Sequence, residues 1–267
     1  MAVWAIANQK GGVGKSTTGI NLGAALARLG LRVLLIDSDP QGNATSGLGI
    51  RPGDTPTVYD LLLADAPDLN TAILQTRQQG LSLIGATPAL AGAEVELVGA
   101  SEREYRLRRA LAGVESQFDH VLIDCPPSLG LLTINALCAA DAVFVPVQCE
   151  YLALEGLGHL VTTIDLVRRN LNQRLAIGGV LLTMFDGRTN LAQQVADEVR
   201  RHFPQTLETV IPRSIRLSEA PSHGRTIFEY APQSTGAVAY SRAAAELQAT
   251  AVGGSTTPTG APVGART

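Results

Sequence analysis

The segment Asn8-Gln9-Lys10-Gly11-Gly12-Val13-Gly14-Lys15-Ser16-Thr17-Thr18-Gly19 decides how the rest of the chain is read. An apolar run from Val3 to Ala7 precedes it and a helical pattern from Ser16 to Leu29 follows, so the spacing predicts a strand, a glycine-rich turn and a helix. Glycines let successive backbone N–H groups turn inward around an anion, and the start of the helix adds its positive end. Lys15 supplies a point charge, Ser16 a hydroxyl for Mg²⁺, and Thr17 reaches the α-phosphate. The run from Lys10 to Thr17 satisfies G-x-x-x-x-G-K-[ST] in a modified sense, and Gly11, Gly12, Val13, Gly14, Lys15, Ser16 and Thr17 are the predicted contacts for nucleotide phosphates with Mg²⁺. A strand-to-helix turn without a ligand is the alternative.

Outward from this loop, short β-rich runs alternate with longer helical patterns. Strands are predicted over Val3 to Ala7, Arg32 to Ile36, Leu81 to Ile84, His120 to Ile123, Ala142 to Val147, Ala176 to Leu182 and Thr206 to Ile211. Helices are predicted over Ser16 to Leu29, Glu102 to Val114, Leu154 to Leu171 and Leu191 to His202, with Ser101 and Glu104 as a capping box for the second. Such alternation predicts an α/β fold: a mostly parallel sheet with helices on both faces, as in P-loop NTPases. A chain of 267 residues, 45% hydrophobic and 17% charged, fits a single domain over 1–250. Residues 251–267 are rich in Gly, Pro, Ser and Thr and are expected to form a disordered tail.

The start of the chain lacks a basic flank and long apolar run, and no stretch of 18 apolar residues crosses a bilayer, so the expected location is cytoplasmic, away from membranes. Cys125, Cys138 and Cys149 form no CxxC pair, which signals neither a disulfide framework nor a zinc site. A net charge of −3 means that any nucleic-acid surface must be local. Of 21 basic residues only Lys10 and Lys15 are lysine, the other 19 being arginine. A site that needs a compact ammonium cannot accept a planar guanidinium, so both positions are marked for chemistry.

The run KGGVGKST resembles the deviant Walker A motif of the ParA, Soj and MinD family, whose hallmark is the extra early lysine. The resemblance implies that Lys10 reaches across a dimer interface to the partner's ATP, in the manner of an arginine finger. Two more segments resemble the family's nucleotide motifs. In LLIDSDPQGNAT, Asp39 is implied to position the attacking water and Asp37 to support Mg²⁺ through water; an Asx-turn before Pro40 is the other reading of Asp39. In HVLIDCPPSLG, Asp124 resembles a Walker B acid that holds Mg²⁺ indirectly, with a helix-capping aspartate as the alternative. Ser38 stands where relatives often carry an apolar residue, and alternation along the strand turns it away from nucleotide. The implied catalytic set is Lys10, Lys15 and Asp39, and the implied metal set is Ser16, Asp37 and Asp124.

Val210 to Pro232, VIPRSIRLSEAPSHGRTIFEYAP, resembles the corresponding part of Soj and ParA. There Pro212 is implied to line an adenine pocket and Arg213 to face DNA. Arg216, Arg188, Arg225, Arg200 and Arg201 are candidates to extend that basic face; solvated arginines interleaved with glutamates are the plain alternative. A MinD-like chain needs a basic amphipathic C-terminal helix and iron–sulfur relatives need placed cysteines, neither of which is present. A loop that starts at residue 10 leaves no room for an N-terminal helix-turn-helix. The expected function is therefore a DNA-partitioning ATPase: an ATP-dependent homodimer that binds double-stranded DNA without sequence preference, associates with the nucleoid and is stimulated by a ParB-like protein. A positioning ATPase for a protein cargo and a P-loop small-molecule ligase are the alternatives.

Overall fold

Along the first strand Val3 and Ala5 face one side of a sheet while Trp4 and Ile6 face the other, and all four are buried. A strand covered on both faces reads as continuous apolar sequence, which is why this segment shows no alternation with polar residues. The computed structural model describes residues 1–150 and 153–253. The strands are β1 (Ala2–Ile6), β2 (Val33–Asp37), β3 (Leu74–Gln75), β4 (Leu81–Ile84), β5 (His120–Asp124), β6 (Ala142–Gln148), β7 (Ala176–Phe185) and β8 (Thr206–Pro212). They form an 8-stranded sheet in the order β3-β4-β2-β5-β1-β6-β7-β8. Every pairing is parallel except β3 with β4.

The helices are α1 (Lys15–Arg28), α2 (Asn43–Gly47), α3 (Val58–Leu63), α4 (Leu90–Glu96), α5 (Arg106–Leu111), α6 (Leu131–Ala139), α7 (Ala153–Asn170), α8 (Asn190–His202), α9 (Ile215–Glu219), α10 (Ile227–Tyr230) and α11 (Thr235–Gly253). Residues of α3 to α8 share one core with Val3, Ala5 and Ile36. Residues of α1, α2 and α9 to α11 share the opposite core with Trp4, Ile6 and Leu35. The chain after β8 folds back onto the turn after α2, where the backbones of Gly49 and Gly224 meet. A Cβ on Gly224 would stand 2.6 Å from the Gly49 Cα, and both residues have positive φ, 61° and 69°, so neither position accepts a side chain.

The α/β class and the predicted strands are present. β3 escaped prediction because two residues on an antiparallel edge carry no periodic signal. The helix predicted over Glu102 to Val114 is broken. Glu102 adopts a left-handed conformation (φ 51°), a 3₁₀ turn spans Arg103–Tyr105, and α5 ends at Leu111. The Ser101 capping box does not form: the Glu104 carboxylate accepts a hydrogen bond from Arg103 Nε at 2.9 Å. Capping boxes do occur at Thr57 with Asp60 and at Thr226 with Glu229. The tail expected from 251 begins inside α11, which runs to Gly253, and 254–267 lie outside the described residues. Among the described residues no helix is long and apolar enough to cross a membrane.

At the start of the central strands, Trp4 Nε1 donates to His120 Nδ1 at 3.3 Å. Burial holds the imidazole pKa below its ordinary value, so His120 folds neutral. Its contribution to stability is present above the unfolded histidine pKa of about 6.5 and is lost as the pH falls below it. We predict that His120→Gln narrows the gap between the melting temperatures at pH 8 and pH 5.5 relative to the wild type, measured by thermal unfolding with Trp4 fluorescence.

Candidate nucleotide-binding site

The glycine-rich turn is held from both sides before any ligand enters. Asn8 Nδ2 donates to the Pro146 carbonyl at 2.7 Å, and Asn8 Oδ1 accepts the Lys10 N–H at 3.0 Å. Thr183 Oγ1 donates to the Val13 carbonyl at 2.8 Å, tying the turn to β7. Gly12 and Gly14 lie at φ 75° and 90°, a region that costs other residues about 1–2 kcal/mol. Gly14 leads into α1 with no side-chain cap and no acidic residue in the first turn. The orphan N–H groups and the positive end of the helix are thus left for an anion. Lys15 is 7% exposed, and its ammonium donates to the Lys10 carbonyl at 3.4 Å within the same loop. Burial lowers its pKa, while Asp124 and Asp39 oppose that shift.

Three carboxylates meet this loop because β5 lies between β1 and β2, with Asp124 in register with Ile6 on one side and Asp37 on the other. Asp37 Oδ2 accepts from the Thr45 N–H at 2.8 Å and from Thr45 Oγ1 at 2.6 Å, and Thr45 Oγ1 accepts the Ala86 N–H at 3.0 Å. Asp39 Oδ1 accepts the Gln41 N–H at 2.9 Å, so Asp39 makes the Asx-type turn and lines the cavity as well. Both oxygens of Asp124 are buried with no hydrogen-bond donor, which removes the helix-capping reading. Burial and the charge of Asp37 push its pKa well above the usual carboxylate range, and the Lys15 ammonium pulls the other way. Burial likewise pushes Asp37 up to about 6, against its Thr45 bonds. Ser38 Oγ is buried and unpartnered on the neighbouring position.

Unpartnered buried carboxylate oxygens beside a serine hydroxyl fit a divalent cation. Among the described residues no three His, Cys, Asp or Glu side chains form a complete ligand set. A hard cation that is completed by phosphate oxygens and water, as Mg²⁺ is, suits this incomplete set. The cavity in front of the loop measures ≈ 550 Å³ and is lined by Gly11, Gly12, Gly14, Lys15, Ser16, Thr17 and Asp39 on the loop side. Ile20, Gln41, Asn43, Ser46, Pro127, Met184, Pro221 and Ser222 complete it; Ser46 and Met184 lie outside every motif read in the sequence, since only the fold brings these loops together. A smaller cavity of ≈ 120 Å³ adjoins it and shares Gly14, Thr17 and Met184. Ile211, Pro212, Arg213, Leu217 and Tyr240 line this second cavity. A larger open groove of ≈ 640 Å³ between β8 and α11 contains neither the loop nor the carboxylates.

Lys10 points elsewhere. Its ammonium lies 3.0 Å from Glu150 Oε2, and the residue is absent from the lining of the phosphate-sized cavity. The arginines expected at a basic face are mostly neutralised. Arg188 is held by Asp186, Arg216 by Glu219 at 3.0 Å, and Arg213 lies 3.9 Å from Glu150 Oε1. Arg201 pairs with Glu198, and Arg200 donates to the Glu208 carbonyl at 3.2 Å. Arg225 is exposed with no side-chain partner among the described residues.

A mostly parallel sheet, a glycine loop at the crevice beside its central strand and strand-end carboxylates define a P-loop nucleoside triphosphatase. A family described as an AAA domain matches residues 1–177. The chain is 58% identical over 247 residues to the sporulation initiation inhibitor protein Soj of Bacillus subtilis, covering 92% of this chain and 97% of the relative. It is 54% identical over 244 residues to the chromosome partitioning protein ParA of Myxococcus xanthus, covering 91% and 86%. The solved structure of cobyrinic acid a,c-diamide synthase from Mycobacterium smegmatis, with bound ADP and magnesium, superposes with a TM-score of 0.83 at 41% identity, over 98% of this chain and 100% of that one. The protein belongs to the Soj/ParA family of P-loop ATPases.

The unpaired Asp124 gives a direct prediction. A carboxyl whose folded pKa is raised contributes its stability below the unfolded pKa of about 3.9 and loses it as the pH rises through the folded value. Asp124→Asn is therefore expected to stabilise the ligand-free protein at pH 8 by about 1–3 kcal/mol, and less at pH 5. The same variant loses Mg²⁺-dependent nucleotide affinity; thermal unfolding and titration calorimetry check the two effects.

Proposed function

We propose that this chain is a cytoplasmic, nucleoid-associated partitioning ATPase that uses Mg·ATP to form a homodimer, binds double-stranded DNA without reading its sequence, and is stimulated by a ParB-like partner. The observation that carries this reading is the separation of the two lysines. Lys15 is buried inside its own loop, whereas the Lys10 ammonium sits outside the cavity at a half-exposed position on Glu150. Similarity to relatives named for chromosome partitioning supports the same assignment.

In this mechanism the inward N–H groups of Gly11, Gly12, Val13 and Gly14, with Lys15, bind the phosphates, Thr17 reaches the α-phosphate, and Pro212 packs the base. Ser16, Asp37 and Asp124 would hold Mg²⁺, which would supply charge neutralisation at the phosphates. Asp39 orients the attacking water, a role that needs position more than a shifted pKa. Lys10 completes the partner's site by offering an ammonium to its phosphates. Arg213, with Arg216, Arg188 and Arg225, contacts DNA phosphates once the dimer aligns two such faces, so affinity falls as salt rises.

A second reading has a specific observation behind it, the 41% identity to a diamide synthase. A ligase would turn over ATP only with its small-molecule substrate and would ignore DNA and dimerisation. Light scattering and DNA mobility shifts with no nucleotide, ADP and a non-hydrolysable ATP analogue, at several salt concentrations, separate the two. We expect a dimer and DNA retention only with the analogue; a monomer that ignores DNA at low salt rejects the partitioning reading.

Two variants refine the test. Lys10→Ala is expected to keep ATP binding and lose nucleotide-dependent dimerisation and DNA binding, and normal dimerisation by light scattering removes the role in trans. Arg213→Glu is expected to keep the dimer and weaken DNA binding at least tenfold, and an unchanged mobility shift dismisses the face.

A further inference from the structure

Glu150 lies two residues beyond β6 and was not singled out in the sequence. Its backbone is fixed: the Glu150 N–H donates to the Gln148 carbonyl at 2.8 Å, and its carbonyl accepts the Ala153 N–H at 3.0 Å. Gln148 Nε2 donates to Glu150 Oε1, which turns the carboxylate toward two cations at once. Oε2 holds the Lys10 ammonium at 3.0 Å, and Oε1 faces the Arg213 guanidinium at 3.9 Å. On its far side Arg213 is joined to β7 by its N–H to the Phe185 carbonyl at 3.1 Å, next to the bidentate pair of Asp186 with Arg188. Lys10, Glu150, Arg213, Asp186 and Arg188 thus form a row of alternating charge from the phosphate loop to the candidate DNA face.

We propose that Glu150 is a positioning residue that parks Lys10 and Arg213 in the resting protomer, so that one carboxylate sets the threshold for dimerisation and for DNA binding. This rests on the reading that Lys10 acts in trans and Arg213 meets DNA. Lys10 cannot reach a neighbour's phosphates while its ammonium stays on Glu150. Arg213 likewise meets a DNA phosphate against the competition of the same carboxylate. The side chains of Lys10 and Glu150 are 36% and 46% exposed, so the pair is weak and screened by salt, and it sets a threshold without blocking the step. Glu150 touches no nucleotide atom in this scheme and acts through the two cations it holds.

The test uses the full-length chain with a non-hydrolysable ATP analogue. Glu150→Gln keeps the shape and removes the charge. It is expected to lower the analogue concentration for half-maximal dimerisation by about two- to fivefold per protomer at low salt. The gap from wild type closes at high salt, where the wild-type pair is screened, a dependence that a packing role does not produce. DNA affinity of the preformed Glu150→Gln dimer rises over that of the wild-type dimer, and Glu150→Ala shifts both readouts in the same direction. Midpoints equal to wild type at both salt concentrations, or a weakened dimer, overturn the role of Glu150 provided that Lys10→Ala still abolishes dimerisation. Should Lys10→Ala dimerise normally, it is the reading of Lys10 that fails, and the parking role falls with it.

Discussion

Both oxygens of Asp124 are buried among the central strands without a donor, in register with Asp37 on β2 and beside the loop after β1. Two acids of like charge at the core of a sheet oppose folding unless something positive joins them. The chain supplies only part of that charge, through a Lys15 ammonium that is itself desolvated. The site is therefore electrostatically incomplete, and a cation with phosphate completes it. The origin of that incompleteness is the accumulation of charge at a point that the sheet topology fixes.

The two lysines divide the work by position. Lys15 enters α1 and is packed under its own loop, whereas Lys10 precedes the glycines and pairs with Glu150 outside the cavity, so a shift of five residues places the two ammonium groups in different surroundings. A guanidinium at either place is a poor substitute, because a planar fork cannot fold under the loop or slip between paired acids as a compact ammonium does. Around Lys10 the rim is a lattice of weak, exposed ion pairs. Such pairs are individually worth little and exchange partners easily, which suits a surface that changes company through a cycle.

Much of this was legible beforehand, for reasons that differ from residue to residue. The strand, glycine turn and helix at Val3 to Leu29 were readable because local backbone demands, positive φ at Gly12 and Gly14 and an uncapped helix start, are written in contiguous residues. Asp37, Asp39 and Asp124 were readable as acids at strand ends. The broken helix at Glu102 was not, since the break is a left-handed turn at a glutamate, a residue type that does not mark such a turn in the sequence. Thr45 was equally hidden: a threonine in a short helix shows nothing of the carboxylate it holds from eight residues away.

By itself the sequence determined the class of fold, the loop that holds an anion and the acids able to serve a cation, because each follows from short-range periodicity and from residue types with few alternative uses. Only the tertiary structure decided which of those acids are already satisfied, that Lys10 lies on Glu150 and outside the cavity, and that Arg188, Arg201, Arg213 and Arg216 each meet an acid. Charge pairing depends on through-space distance between side chains up to 140 positions apart, and a linear pattern does not encode that distance.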